Sequence, residues 1–238
     1  MKSETRILGV TLARSGSKGV PGKHLRMLGR KPLLDYTLDL IDEIPLLDYY
    51  VVSTDSKTIQ NHVISKGLQA PFLRPKYLST DYASSVSALQ HAITYMETSL
   101  NINFTHIVEI MATNPFKESI DINSCINELI SKDLDAVIAV HRVFDHHPSR
   151  LKKIVDGMLV DFCVPEIPES RRQDLMPPSY VRSGAIYALT REMIMDKGLR
   201  YGTNRCAAYE LAGSKAINID SEIDFLTAEI LLNRQDDV

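Results

Sequence analysis

The 238 residues, 44% of them apolar and with a formal net charge of −3, suffice to bury a full core as one domain, or as a domain with an elaborated arm. No apolar run reaches the roughly 18 residues of a membrane span and the N-terminus has no signal-peptide apolar core, so a soluble intracellular protein is expected. Cys125, Cys163 and Cys206 are few, widely separated and odd in number, which argues against a disulfide framework and a metal finger; they read as buried or incidental thiols.

The first predicted element is an apolar strand, Ile7 to Ala13, that empties into a loop holding Arg14, Ser15, Gly16, Ser17, Lys18, Gly19, Gly22 and Lys23. The glycines let backbone N–H groups approach a ligand, while Arg14, Lys18 and Lys23 supply charge that matches phosphate oxygens. Residues 1–31 carry eight basic groups (Lys2, Arg6, Arg14, Lys18, Lys23, Arg26, Arg30 and Lys31) against Glu4 alone, on a chain that is acidic overall. Such focusing suits a polyphosphate cradle better than the broad basic surface that duplex nucleic acid requires. It is not a Walker A loop, since five residues separate Gly16 from Gly22 and His24 follows Lys23, and the G-x-G-x-x-G fingerprint is absent.

Next, Pro32 opens a helical pattern through Leu33, Leu34, Tyr36, Leu38 and Ile41 that Pro45 closes. Tyr49 to Thr54 reads as a short buried strand leading to Asp55, and a helix over Lys57 to Lys66 stops at Gly67. This order predicts an α/β domain with a largely parallel sheet, whose ligands sit at the carboxyl ends of the strands. Residues 71–85 form a connection in which Arg74 and several hydroxyls are candidates for nucleotide or sugar contact; Ser84 or Ser85 caps the helix of Val86 to Met96. His106 to Met111 is expected as a central strand, Ala112 to Pro115 as a turn, Ile120 to Ser131 as a helix and Ala136 to Val140 as another buried strand.

Beyond Val140 the alternation lapses for about 40 residues that hold five of the eleven prolines, which predicts a separate hairpin-bearing arm over 141–182 inserted in the single domain 1–238. Its His141, His146 and His147 lack an acidic set and read as surface or packing histidines rather than metal ligands. Ala185 to Leu189 returns to strand character, and Lys215 to Ile219 is read as a strand that ends at Asp220. Ser221 and Asp224 fit a capping box for the terminal helix, which leaves the Asp220 carboxylate to bind a hard cation such as Mg²⁺.

These residues together resemble a known family. Ala13-Arg14-Ser15-Gly16-Ser17-Lys18-Gly19 with Lys23, Ser53-Thr54-Asp55, Arg74-Pro75, Leu78 with Asp81, Thr113-Asn114-Pro115, Arg172-Gln173, Gly184-Ala185-Ile186-Tyr187, and Asp220 with Asp224-Phe225 are similar to the acylneuraminate cytidylyltransferases, or CMP-sialic acid synthetases. The resemblance covers Ile7 to Leu232. It implies a Rossmann-like α/β nucleotidyltransferase fold with a mainly parallel sheet flanked by helices, a β-rich dimerisation arm, and a cytoplasmic homodimer. The implied reaction joins CMP from CTP to the anomeric hydroxyl of a nine-carbon 2-keto sugar acid, with Mg²⁺ assisting the departure of pyrophosphate. By the same resemblance Arg14, Lys23 and Asp220 are catalytic, Asp220 also holding the metal. Ala13, Arg14, Ser15, Gly16, Ser17, Lys18, His24, Arg74 and Ser84 meet the nucleotide. Met111, Thr113, Asn114, Arg150, Arg172, Gln173 and Tyr187 meet the sugar acid.

The chain departs from the family pattern at His24, where Asn is common, at Met111, where Gln is frequent, at Asn218, where many relatives carry a second Asp, and at Ser183, where Asn is usual. These changes leave the acceptor open among sialic, legionaminic and pseudaminic acids. Alternatives are an eight-carbon (Kdo) or GTP-using enzyme, or a non-catalytic nucleotide- or sugar-binding relative.

Overall fold

Short runs of Ile, Val and Leu supply the strands, because branched side chains pack well on a pleated surface and the runs are too short for helices. The computed structural model describes residues 4–167 and 170–236; Lys2 of the basic count and the Pro168 to Glu169 step of the arm lie outside the described residues. In chain order it contains β1 (Ile7–Leu12), β2 (Met27–Leu28), β3 (Lys31–Pro32), α1 (Asp35–Leu38), β4 (Tyr49–Ser53) and α2 (Lys57–Ser65). Then come α3 (Ser85–Leu100), β5 (His106–Ile110), α4 (Ser119–Ser131), β6 (Ala136–Val143), β7 (Lys152–Val155) and β8 (Met158–Asp161). The chain finishes with β9 (Ser179–Thr190), α5 (Arg191–Met195), β10 (Cys206–Glu210) and α6 (Glu222–Asp236).

Six strands form one sheet in the order β10-β6-β9-β5-β1-β4. The pairs β1/β4, β1/β5 and β10/β6 are parallel, and β9 runs antiparallel to both of its neighbours. The alternating faces bury two apolar layers. Leu38, Ile59, Val63, Ile122, Ile126 and Leu129 from α1, α2 and α4 cover one face. Leu89, Ala92, Ile93 and Met96 of α3 cover the other, with Met193 and Ile194 of α5. A smaller core of Val20, Leu28, Leu33, Phe116, Ile219, Phe225 and Ala228 ties the β2/β3 hairpin to the start of α6.

The expected strand and helix alternation holds from β1 to β6, and α3 starts at Ser85 with Ser84 as its cap, whose Oγ accepts from Ser87 N. Three local expectations are corrected, and one strand is added. Pro32 does not open a helix; it ends β3, which pairs back on β2 around Gly29 at φ +59°, and α1 begins only at Asp35. Lys215 to Ile219 is not a strand but a 3-10 turn over Gly213–Ala216 followed by extended chain, which joins the body through Ile219 N to Thr113 O at 2.8 Å. The unpredicted edge strand β10 takes the place beside β6. The strand ending at Val140 continues to Val143, because Val140 to Val143 pair with Arg182 to Ser179 after a register shift between Ile138 and Val140. Past the sheet, β6 and β9 therefore run on as a two-stranded ribbon, and the chain between them includes the β7/β8 hairpin. The β7/β8 hairpin falls within residues 141–182.

Candidate active site

β1 continues to β4 on one side and has β5 on the other. Where strand order reverses in this way, a crevice opens at the carboxyl ends of the strands. A cleft of about 290 Å³ lies there, lined from the loop after β1 by Arg14, Gly16, Ser17, Lys23 and His24, and from the connection before α3 by Arg74, Asp81 and Ser84. Glu109, Met111 and Thr113 line it from β5 and its exit, and Asn218 and Asp220 from the approach to α6.

The loop is held open by its ends. Ser15 N and Oγ donate to the two Asp55 carboxylate oxygens at 2.8 and 2.9 Å. At the tip, Asp81 receives Arg14 Nη1 at 2.8 Å and Lys18 Nζ at 2.7 Å, and these two cations hold its carboxyl below the usual range. Gly19 is required by packing, since a Cβ there would lie 1.8 Å from the Asp220 carbonyl oxygen. Gly22 is required by its φ of +62°.

Two cations, Lys23 and Arg74, converge here with the His24 imidazole. Lys23 Nζ donates to Ile219 O at 2.9 Å and pairs with Asp220 Oδ1 at 3.1 Å. Arg74 is 5% exposed, yet its Nε and Nη2 have no hydrogen-bond partner. Leaving a buried guanidinium half-satisfied is costly, so this group is poised for an acceptor brought by a ligand. His24 donates from Nδ1 to Arg14 O at 3.1 Å, which makes its Nε2 an acceptor. Burial, then the charges of Lys23, Arg74 and Arg14, lower its pKa to about 4 against the pull of that hydrogen bond. The imidazole is therefore neutral at pH 7.

Asp220 is not free, as expected from sequence, but bound on both sides. Besides Lys23, its Oδ2 accepts from Asn218 Nδ2 at 2.5 Å. Ser221 and Asp224 form the expected box: Asp224 Oδ2 accepts from Ser221 N at 2.7 Å, and Asp224 N donates to Ser221 Oγ at 3.3 Å. Among the described residues no group of three or more His, Cys, Asp and Glu could hold a metal. The oxygens here still suit a hard cation that takes most of its ligands from phosphate and water: the Asp220 carboxylate, together with Asn218 Oδ1, which is buried without a partner.

Ten of the sequence candidates line the cleft: Arg14, Gly16, Ser17, Lys23, His24, Arg74, Ser84, Met111, Thr113 and Asp220. Ala13 is fully buried and acts through its backbone, N donating to Ser53 O at 3.0 Å. Ser15 and Lys18 support the loop through Asp55 and Asp81. Asn114 is fully buried; Nδ2 donates to Lys215 O at 2.7 Å and Oδ1 accepts from Lys117 N at 3.0 Å, so its side chain organises the turn and does not reach the cleft. Tyr187 does not line the cleft either, because β9 turns it into the core at 4% exposure. Arg150, Arg172 and Gln173 sit in the arm, where Arg150 Nη2 donates to Ser170 O at 3.2 Å and Arg172 lies 3.7 Å from Asp145. The arm histidine His147 packs, with Nε2 donating to Pro177 O at 2.9 Å.

Glu109 is a cleft residue outside the sequence candidates, although a carboxylate inside the apolar run HIVEIM is a signal. It is 1% exposed and pairs with Arg200 Nη1 at 2.7 Å. Burial raises its pKa, and Arg200 opposes the rise.

The sequence profile of the cytidylyltransferase family matches residues 8–163. N-acylneuraminate cytidylyltransferase of Streptococcus agalactiae serotype V is 31% identical over 217 residues, which cover 90% of this chain and 50% of that protein. CMP-N,N'-diacetyllegionaminic acid synthase of Legionella pneumophila is 29% identical over 233 residues, covering 95% and 96%. The chain thus spans about half the length of the streptococcal relative and nearly all of the Legionella one. Among solved structures, CMP:2-keto-3-deoxy-manno-octonic acid synthetase in complex with CTP superposes with a TM-score of 0.71 at 16% identity, over 97% of this chain and 100% of that one. That likeness shows a shared Rossmann-like α/β fold.

Proposed function

The chain belongs to the cytidylyltransferase family, and from that premise we propose that it transfers CMP from CTP to the anomeric hydroxyl of a nine-carbon 2-keto sugar acid, releasing pyrophosphate. The observation that carries the reading is the cleft's unsatisfied positive charge: Arg74 with two buried nitrogens unpartnered, beside Arg14 and Lys23. The similarity to enzymes named for sialic and legionaminic acids supports the acceptor class.

In this reading the anomeric hydroxyl oxygen attacks the α-phosphorus and loses its proton to solvent, the bond from that phosphorus to the bridging oxygen breaks, and pyrophosphate carries the electron pair away. Phosphoryl-type transfer is mostly positioning and charge neutralisation. Arg14 and Lys23 face the phosphates, and the loop's N–H groups approach them where Gly16 leaves open space. Arg74 and Ser84 meet the nucleoside, and neutral His24 offers an acceptor without adding charge. Lys23 exchanges part of its contact with Asp220 for phosphate oxygen. When bound by Asp220 and Asn218 Oδ1, Mg²⁺ supplies neutralisation of the triphosphate and of the departing pyrophosphate. The arm makes a homodimer and carries Arg150, Arg172 and Gln173 toward the partner's cleft, where a guanidinium suits the sugar carboxylate. The setting is cytoplasmic, where CTP is available; among the described residues no helix is long and apolar enough to cross a membrane.

The test is pyrophosphate release with Mg²⁺, comparing CTP with GTP, ATP and UTP over sialic, legionaminic, pseudaminic and Kdo acceptors. Release that needs CTP and a nine-carbon acid is the expected result. Folded protein that binds CTP yet releases nothing with any acceptor would overturn the reading.

A further inference from the structure

The cleft has two ends of different chemistry. Arg14 and His24 enter from the loop after β1, and Arg74 enters beside the end of β4, where its N donates to Thr54 O at 2.7 Å, so these groups lie on the β1 and β4 side. The opposite end lies over β5, whose other neighbour is β9. Here Ile107, Glu109 and Met111 point to one face of the sheet, the face packed by α3. An apolar residue between Ile107 and Met111 would complete that stripe without penalty. Instead the stripe holds a carboxylate that is 1% exposed.

A buried carboxylate is tolerated only when paired and hydrogen-bonded. Arg200 satisfies half of it, with Nη1 2.7 Å from Oε2, and the same guanidinium stacks 4.5 Å from the centre of the Tyr187 ring, the β9 residue in register with Glu109. Among the described residues no hydrogen bond reaches Oε1. Asp81 and Asp220, the other acidic residues on the cleft, are both engaged by loop cations. Glu109 thus presents a fixed, unshared acceptor on the β5 side of the cleft.

We propose that Glu109 selects the acceptor sugar, its Oε1 accepting a hydrogen bond from a hydroxyl or amide N–H remote from the sugar's own carboxylate, with Arg200 as the positioning residue. The inference rests on the transfer reading above. A carboxylate in this place repels the acid group and so fixes which end of the sugar enters the β5 side. Nonulosonic acids differ from one another in their hydroxyl and acylamino substituents, so one charged acceptor in a dry site discriminates among them strongly. The apolar Met111 beside it adds no competing polar contact.

The experiment uses the full chain and measures kcat/KM for pyrophosphate release with sialic, legionaminic, pseudaminic and Kdo acceptors. It compares wild type, Glu109→Gln and the double variant Glu109→Leu/Arg200→Met, the last removing the pair without stranding a buried charge. For the best acceptor, kcat/KM falls by about ten- to a hundredfold in both variants, as expected for a lost hydrogen bond to a charged group. The spread among acceptors narrows, while the KM for CTP stays close to wild type in both variants and the melting temperature does so in the double variant. Unchanged discrimination overturns the inference alone. Equal losses for CTP and for every acceptor make the pair a structural brace and also overturn it. Wild-type protein without turnover on any acceptor overturns the transfer reading, and this inference with it.

Discussion

Lys23 is held from two sides before any substrate arrives, by the Ile219 carbonyl and the Asp220 carboxylate, with its side chain only 12% exposed. An ammonium so constrained loses little freedom when it meets phosphate. Lys23→Ala should lower kcat by roughly a hundred- to a thousandfold, the scale seen when one preorganised donor is removed; pyrophosphate release at saturating CTP measures it, and wild-type rates would exclude Lys23 from the chemistry. His24 carries a pH signature. Its folded pKa of about 4 lies below the ordinary 6.5, so between those values the unfolded chain binds more protons, and the group's contribution to stability is lost as pH falls through that window. Urea melts from pH 7 to 4 should show His24→Asn losing less stability than wild type, the difference approaching about 1.4 kcal/mol per pH unit at its steepest. Parallel slopes would mean that His24 titrates normally. The charged loop was legible in the sequence because its function needs charge and glycine close together in the chain. The roles of Asn114 and Tyr187 were not, since the direction of a side chain depends on neighbours supplied by distant segments, Lys215 for the one and β5 for the other.

At the scale of elements, the start of α6 is a joint between fold and site. Asp224 accepts from Ser221 N, Ser221 Oγ and Asp220 N at 2.7, 2.8 and 3.1 Å, and so fixes the peptide that aims Asp220 at the cleft. Asp224→Ala should cost about 1 kcal/mol of stability, as lost caps do, and raise the Mg²⁺ concentration needed for half-maximal turnover several-fold. A stability loss with an unchanged Mg²⁺ requirement would separate the cap from the site. The capping box was readable from four consecutive residues. So were the buried strands β1, β4, β5 and the first half of β6, whose apolar runs are self-evident. The β2/β3 pair escaped because two-residue strands have no period, and β10, CAAYE, because it is a strand by virtue of the β6 edge it joins rather than its own composition. The extension of β6 to Val143 escaped because His141 and Arg142 gain strand geometry only from pairing with Val181 and Tyr180.

For the whole molecule, the arm carries much of the uncovered apolar surface. Ile154, Met158 and Leu159 on the β7/β8 hairpin are 76%, 68% and 71% exposed, more than an isolated hairpin carries without a partner. Light scattering at micromolar concentration should report about twice the monomer mass, and Ile154→Asp with Leu159→Asp should return it to one. A wild-type monomer would undercut the dimer. The arm lies between β6 and β9, and β9 fills the gap between β5 and β6 in the middle of the sheet. During synthesis, β5 and β6 therefore leave the ribosome with no strand to lie between them, and each keeps an unpaired edge until the arm and then β9 have emerged. The nascent chain passes through a sticky interval whose duration the arm's length sets. Chains arrested just before Ser179 should remain open to protease and bind holdase chaperones, whereas chains arrested beyond α6 should resist both; early protection would show that the two halves of the sheet fold independently.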